Sequence, residues 1–594
     1  MTDPAAVPLA SAAVPLAPAA SAAPREAVGP LIRGLSVLRA LAGAGGRLSV
    51  GDLVRATALA RSTVDRTLST LERLGHVRLE GKAAVLAPRS AELGNAYLSA
   101  CRLPDLCGPA ADRLADELDE SVSLAVPDRD GIRFVHQSTR RRTMSLAFRI
   151  GDRLPAECGA VGALLAVDWT EAEWDAWEAR RRRDPLYDGF PAVPAEAARA
   201  GESFRQRVDA ARQLGWAEDD QLIEPGLVAL AMPVRDRAGR PVGVVSVVSH
   251  TSRRALASMR EALLPRLRET VAEMEAEMGT EMEAEVEAEM GTERAPVARP
   301  LPPASAAPAD SERARESKRE MGPGFVESLA RGLAVLASFG PALGEALGGD
   351  RTTGVPLSAL AQATGLARAT VRRALITLEH LGYVTSDDGL FRPLPRVLDL
   401  GFAPLSGLTL PLLAQPHLVT LVKRVQESAS MSVLAGDDIQ YVARVATERI
   451  MSVDITVGTR FPAYATSMGR VLLADLLAGL PPDERDERLR APAPAALTPY
   501  TVTSVQRLSA LLDQAGRDGY ALVEGELEEG LRSLAVPVRD RDGRVVAAVN
   551  VSMPVGRRTA EESLADLLPP LRETAAGIEG DLWVAGRHTH IRTV

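Results

Sequence analysis

The sequence predicts an α+β fold built twice along one chain, and three observations lead there. Residues 61–77, RSTVDRTLSTLERLGHV, recur at 368–384 as RATVRRALITLEHLGYV, with 11 of 17 positions identical. The segment 227–249, LVALAMPVRDRAGRPVGVVSVVS, is matched by 531–552, LRSLAVPVRDRDGRVVAAVNVS. Between these motifs, helical and strand-like periodicities follow one another in the same order in both halves. Repeats this long and this far apart mean that a whole architecture has been duplicated.

Residues 1–27 are rich in Ala and Pro. No Lys or Arg precedes Arg25, and Pro8, Pro15, Pro18 and Pro24 break any apolar helix, so a disordered tail is expected rather than a signal peptide. Residues 28–90 begin with LIRGLSVLRALAG, where Leu31, Leu35, Leu38 and Leu41 share one helix face. Ser49 is placed to cap a second helix, VGDLVRATA, and a tight turn through Leu59 and Ala60 leads into the repeated amphipathic helix. RLEGKAAVL then supplies a hairpin with Gly81 at its tip. Three helices at this spacing followed by a Gly-tipped hairpin are a winged helix-turn-helix.

Residues 91–271 open with a linker helix, SAELGNAYLSA, and continue as a mixed α/β domain. SVSLAV and GIRFVHQ are strands joined by an Asp/Gly turn, and the closing hairpin has another, so its sheet is largely antiparallel. Residues 272–324 form an acidic, then Pro/Ala-rich linker, with Met274, Met278, Met282, Val286 and Met290 recurring every four residues, so part of it should extend the preceding helix. Residues 325–394 repeat the winged head: FVESLARGLAVLASF, then Ser358 capping ALAQATG, the repeated helix, and a wing with Asp387-Asp388-Gly389 at its tip. The loop PALGEALGGDRTTG accommodates a nine-residue insertion relative to head one. Residues 395–585 repeat the α/β domain, from a linker helix RVLDLGFAPLSG through the strands SMSVLA and IQYVARV.

Composition excludes several functions. No apolar run reaches the length of a membrane span, so no membrane partner is expected. None of the three cysteines forms a CxxC pair and the seven histidines are scattered, so no metal and no cofactor is expected. An odd cysteine count without a secretory signal fits a reducing cytoplasm. There is no P-loop, dinucleotide fingerprint or nucleophile elbow, and hence no candidate catalytic residue. Cys158 lacks a His–Asp partner spacing and reads as a small buried thiol.

A net charge of −9 is unusual for a DNA binder until it is localised. Residues 272–293 hold nine Glu and no Lys or Arg, whereas head one holds ten Lys/Arg against four acids and carries +6. Head two holds six of each and is neutral, so the heads differ in their expected attraction to phosphate. The residues placed to meet DNA lie at the start of each repeated helix: Arg61, Ser62, Thr63, Asp65 and Arg66 in head one, and Arg368, Ala369, Thr370, Arg372 and Arg373 in head two. Arg can pair with guanine O6/N7, while Ser and Thr serve phosphates or base edges.

The second half, with ATVRRALITLEHLGYV, YVARVATERIMSVDITVGTRFPAYATSMGRVLLA and GELEEGLRSLAVPVRDRDGRVVAAVNVS, resembles the IclR-type regulators, and within them the branch controlling protocatechuate, 4-hydroxybenzoate and β-ketoadipate catabolism. The first half is similar to the same family in order and length. The resemblance implies a sequence-specific regulator that binds double-stranded operator DNA and is controlled by a small organic, aromatic acid in the α/β domain, assembled as a homodimer or as an intrachain pseudo-dimer. It further implies ligand contacts at Ile450, Ser452 and Val453 on one strand, at Ser467, Met468 and Gly469 opening a helix, and at Ser533, Asn550 and Ser552 on the closing strands with Glu526 nearby. The first α/β domain aligns Thr143, Ser145 and Leu146, then Ala160, and then Ala229, Ser246 and Val248 with these, so its ligand is expected to be changed or lost. Two other readings stand beside this one: a sensing or dimerisation scaffold with one head that does not bind DNA, and, remotely, an α/β hydrolase.

Overall fold

The computed structural model describes residues 24–140, 148–190, 192–193, 203–289, 310–340, 354–447, 455–490 and 494–593. The chain divides into two compact units, one reaching to Ser406 and the other starting at Gly407. The first unit holds both winged heads and the first α/β domain; the second is the second α/β domain.

In head one, helices Gly29–Gly43, Val50–Thr57 and Arg61–Arg73 pack beside a three-stranded sheet of β1 (Arg47–Ser49), β2 (Val77–Glu80) and β3 (Ala83–Leu86), in the order β1-β3-β2. Ser49 is the cap of the second helix, its hydroxyl accepting the Asp52 N–H at 3.1 Å. The three-residue strand β1 is too short to show alternation in sequence.

The first α/β domain is one antiparallel sheet of β4 (Ser121–Asp128), β5 (Gly131–Ser138), β6 (Arg153–Pro155), β7 (Ala217–Asp220), β8 (Leu227–Arg235) and β9 (Pro241–His250), ordered β6-β5-β4-β9-β8-β7. Helix Leu256–Glu289 follows, with Met274 and Met278 buried, so the ordered helix runs well past residue 272 into the acidic segment.

Head two repeats the plan with helices Glu327–Ala337, Leu357–Thr364 and Arg368–His380 and strands β10 (Val355–Pro356), β11 (Val384–Asp387) and β12 (Leu390–Pro393). Two local expectations fail here. Ser358 is not the cap: Pro356 holds that position, and Ser358 sits inside the first turn. The linker is not one helix but a 3-10 turn, Pro395–Leu400, and a short helix, Phe402–Ser406. Gly401 breaks it at φ 128°, a conformation open to Gly and unfavourable for residues with a Cβ. The break lets the Phe402 ring seat on Gly94, where a Cβ would stand 2.3 Å from Cδ2.

The second unit carries a sheet of β13 (Ser428–Ala435), β14 (Asp438–Val445), β15 (Arg460–Pro462), β16 (Ala521–Glu524), β17 (Leu531–Arg539) and β18 (Val545–Pro554), ordered β15-β14-β13-β18-β17-β16. Alternation along its strands feeds two cores. Leu534, Val536, Val549 and Val551 pack with helices Leu410–Val425 and Ala560–Ala585. Ala535 and Ala548 pack on the other face with helices Ser467–Leu477 and Val505–Asp518.

Within the first unit the two heads pack on each other through reciprocal contacts. A Cβ on Gly34 would lie 2.3 Å from Leu329 Cδ1, and one on Gly332 would lie 2.4 Å from Leu31 Cδ1. The Val28 N–H donates to Thr377 Oγ1 at 2.9 Å, and the Val326 N–H donates to Thr70 Oγ1 at 3.0 Å. Gly332→Val should overpack this seam and destabilise the first unit by about 1–3 kcal/mol, read as a lowered denaturant midpoint. An unchanged midpoint would show that the seam yields without cost.

Candidate DNA interface and ligand cavity

Each repeated helix begins directly after a turn, which leaves its first residues outside the core. Arg61, Ser62, Asp65 and Arg66 are exposed in head one and Thr63 is half-buried, while Val64, Leu68 and Leu71 face inward. Arg61 Nε lies 3.7 Å from Asp65 Oδ2, one turn along. Arg66 donates to the Pro323 carbonyl at 2.9 Å, and Arg73 pairs with Glu320. In head two, Arg368, Ala369, Arg372 and Arg373 are exposed and Thr370 is half-buried. Arg372 Nη1 sits 2.7 Å from Glu26. The segment leading into each head therefore crosses the flank of the other head's helix, engaging Arg372 in one case and Arg66 and Arg73 in the other.

The wings differ in charge at their tips: Lys82 is exposed beside Gly81, whereas Asp387 and Asp388 are exposed in head two. His76, at the entry to the first wing, is buried, and desolvation together with Arg89 pushes its pKa down to about 3. It is a neutral core residue, matched by buried Tyr383, and not a phosphate contact.

In the second α/β domain a cavity of about 280 Å³ opens between the sheet and the start of helix Ser467–Leu477. Ser467, Met468, Glu526, Ser533, Asn550 and Ser552 all line it. Gly469 does not. Its N–H donates to Thr466 Oγ1 at 3.0 Å, and a Cβ there would lie 2.1 Å from the Ala463 carbonyl oxygen, so it serves the packing of the helix. Ile450, Ser452 and Val453 lie outside the described residues, as do Thr143, Ser145 and Leu146.

The structure adds Ser428, Tyr441, Arg444 and Thr447 to the lining. The lone cation within YVARV is the signal that could have found Arg444. Two polar atoms, Ser467 Oγ and Asn550 Oδ1, are buried without a hydrogen-bond partner, while Asn550 Nδ2 donates to Ser552 Oγ at 3.0 Å. Leaving such an atom unsatisfied costs about 1–3 kcal/mol, and a bound polar molecule would recover it. Glu526 is already committed: its Oε2 accepts from Arg470 Nη2 at 2.6 Å and from the Val502 N–H at 3.0 Å. It braces the wall and is not a free acid.

The matching cavity of the first α/β domain holds Cys158 and Asp219 among its lining. Burial, then the Glu157 charge, pushes the Cys158 thiol up to about 12, so it is an inert thiol. Burial raises Asp219 to about 7, although the Leu222 N–H bonds it at 2.9 Å. Among the described residues no cluster of His, Cys, Asp and Glu is arranged to hold a metal ion, and no helix is long and apolar enough to cross a membrane.

Both halves of the chain are similar to known proteins. The profile of the bacterial transcriptional regulator IclR C-terminal domain matches residues 95–276 and 402–579, and that of the IclR helix-turn-helix domain matches 30–81 and 328–388. The Pca regulon regulatory protein of Pseudomonas putida is 43% identical over 277 residues, which is 46% of this chain and 91% of that protein. The p-hydroxybenzoate hydroxylase transcriptional activator of Acinetobacter baylyi is 33% identical over 42% of this chain and 90% of its own length. A solved transcriptional regulator from Rhodococcus sp. RHA1 is 49% identical, covering 44% of this chain and all of that one, with a TM-score of 0.40. These relatives and both families are transcriptional regulators, not enzymes.

Asp219 supplies a pH test of the first domain. Its folded pKa of about 7 lies above the usual 3.8, so its ionisation costs stability, increasingly as pH rises from about 4 and fully above about 7. Asp219→Asn should therefore raise the thermal midpoint of the first unit more at pH 8 than at pH 4. An equal gain at both values would mean that Asp219 does not titrate in this way.

Proposed function

The chain belongs to the IclR family of bacterial transcriptional regulators, and on that premise we propose that its two heads read one operator as an intrachain pseudo-dimer under control of a hydroxylated aromatic acid held in the second α/β domain. The reciprocal seam of Gly34, Leu329, Gly332 and Leu31 supports the pairing. Because the two helices present different side chains, the operator has two different halves. Arg372 occupies the place of Asp65, and Ala369 that of Ser62. An aspartate accepts from cytosine N4, whereas arginine pairs with guanine. Head one, at +6 and with Lys82 at its wing tip, supplies more of the phosphate attraction.

The observation that carries the ligand reading is the pair of unpartnered buried atoms on the cavity, Ser467 Oγ and Asn550 Oδ1. A serine hydroxyl can donate to a carboxylate, while an amide oxygen can only accept, and so calls for a hydroxyl on the ligand. Arg444 supplies positive charge, and Tyr441, Ile455 and Met468 supply apolar wall for a ring. One of the relatives is named as the activator of a p-hydroxybenzoate hydroxylase, a name consistent with this chemistry.

A second reading, in which head two holds the pseudo-dimer together without touching bases, is favoured by its acidic wing tip, Asp387-Asp388. Selection from a random DNA pool decides between them. The full chain should enrich a site that is not an inverted repeat. Arg61→Ala should erase base preference in one half and Arg368→Ala in the other, each at a cost of about 1–3 kcal/mol. If Arg368→Ala changes nothing, head two is a scaffold; a perfect palindrome as the sole site means that like heads bind together.

For the ligand, calorimetry on the full chain should show 4-hydroxybenzoate binding more tightly than benzoate. Asn550→Ala should remove most of that difference, about 1 kcal/mol, because the acceptor for the ring hydroxyl is gone. Equal preference in wild type and variant would remove Asn550 from the hydroxyl contact.

A further inference from the structure

The two α/β domains share a fold but not a cavity. The space in the first is about 50 Å³ against about 280 Å³ in the second. One water needs roughly 10–15 Å³, and pockets for organic ligands begin near 300 Å³, so the first space suits a few waters and no aromatic ring. Phe134 and Phe148 stack at 5.6 Å within its wall, where the second domain has Tyr441 and Ile455. The polar set is gone as well: Ala160, Ala229 and Val248 replace Ser467, Ser533 and Ser552, and Gln137 replaces Arg444. A buried acid, Asp219, stands where the second domain has Val523.

The same domain is tied to head two through a buried ion pair. Arg133 on β5 is 1% exposed, and its guanidinium reaches Asp128 Oδ2 at 2.6 Å, the Gly151 carbonyl at 2.7 Å and Asp399 Oδ1 at 2.7 Å. Asp399 lies in the 3-10 turn Pro395–Leu400 that follows the wing of head two. Beside it, Ser406 Oγ donates to the Ile150 carbonyl at 3.2 Å, and Gly151 presses on Ala403. The second domain carries Ala435 and Gln440 at the places of Asp128 and Arg133. The counterpart of Asp399 in head one, Glu92, pairs locally with Arg89 at 3.4 Å. A buried guanidinium is tolerated only where its partners are all in place, so this triad selects one docking of the domain on head two.

We propose that the first α/β domain has become a clamp on the second head, its cavity too small for a ring, so that the chain takes up one aromatic acid and not two. This rests on the reading of the second cavity as the acid's site. Titration of the full chain with 4-hydroxybenzoate should give one site per chain, and Asn550→Ala should weaken that site without uncovering another. Asp399→Asn should weaken binding to a duplex selected by the full chain roughly five- to tenfold, the range of a modest coupling between sites, and leave the ligand stoichiometry at one. Glu92→Gln, at the symmetry-related place, should leave DNA affinity unchanged. Two sites per chain would overturn the loss of the first site while leaving the second cavity's role intact. Full DNA affinity in Asp399→Asn, or an equal loss in Glu92→Gln, would overturn the clamp. No heat at all would overturn both this inference and the ligand reading beneath it.

Discussion

The seam between the first helices of the two heads is closed by contacts that leave no room for a side chain, with Gly34 against Leu329 and Gly332 against Leu31. Its ends are fixed by two backbone N–H groups, of Val28 and Val326, each given to a threonine of the other head. Those threonines, Thr70 and Thr377, lie on the inner side of the third helix of each head and also bond back to the carbonyls of Arg66 and Arg373. These few atoms tie each third helix to the other head. The occupation of Arg66, Arg73 and Arg372 follows as well, because the segments that bring Val28 and Val326 into place also carry Glu26, Glu320 and Pro323. Close packing makes such a joint stiff: at glycine contacts this short, a shift of one helix has to be answered by the other.

In a homodimer every substitution appears twice and must fit a self-complementary interface. Here the partners are different stretches of one chain, and that restriction is lifted. Lys82 faces outward from one wing and an Asp pair from the other. Arg133 joins Asp128 to Asp399, whereas Ala435 and Gln440 stand at the places of Asp128 and Arg133 in the second domain. Asn550 and Ser467 keep unpaired polar atoms on one cavity, and Ser246 and Ala160 hold the same places in a smaller one. Each difference is tolerable because its mirror image need not exist.

Much of this was legible in the sequence where periodicity and capping act locally. The helical spacing of Leu31, Leu35 and Leu38, the cap at Ser49 and the Asp/Gly turns of the closing hairpins each specify an element without help from distant residues. Six of the ligand-site residues assigned by resemblance meet on one cavity. What could not be read depends on contacts far apart in the chain. The break at Gly401 reflects Phe402 packing on Gly94, and the choice of Pro356 over Ser358 as cap reflects β10 pairing with β12. Arg444 was missed because a single charge on a strand looks like any solvated residue until the cavity beside it is seen. The seam itself was invisible, since Gly34 and Gly332 read in sequence only as tolerated glycines within helices.

Covalent linkage also changes what the pairing of heads depends on. Two separate chains pair according to their concentration, whereas two heads in one chain meet at an effective concentration set by their connection and not by how much protein is present. The contacts of the seam need therefore be only modest, and the heads stay paired when the protein is scarce. That relaxes the demand on each half. On the proposed function, a head with neutral charge can persist beside a neighbour at +6 that draws both to the duplex. An α/β domain with a cavity of about 50 Å³ can likewise persist beside one that keeps about 280 Å³. On the proposed function, duplication inside one chain lets two equal copies take separate tasks: a stronger and a weaker DNA contact, and a clamp beside a sensor.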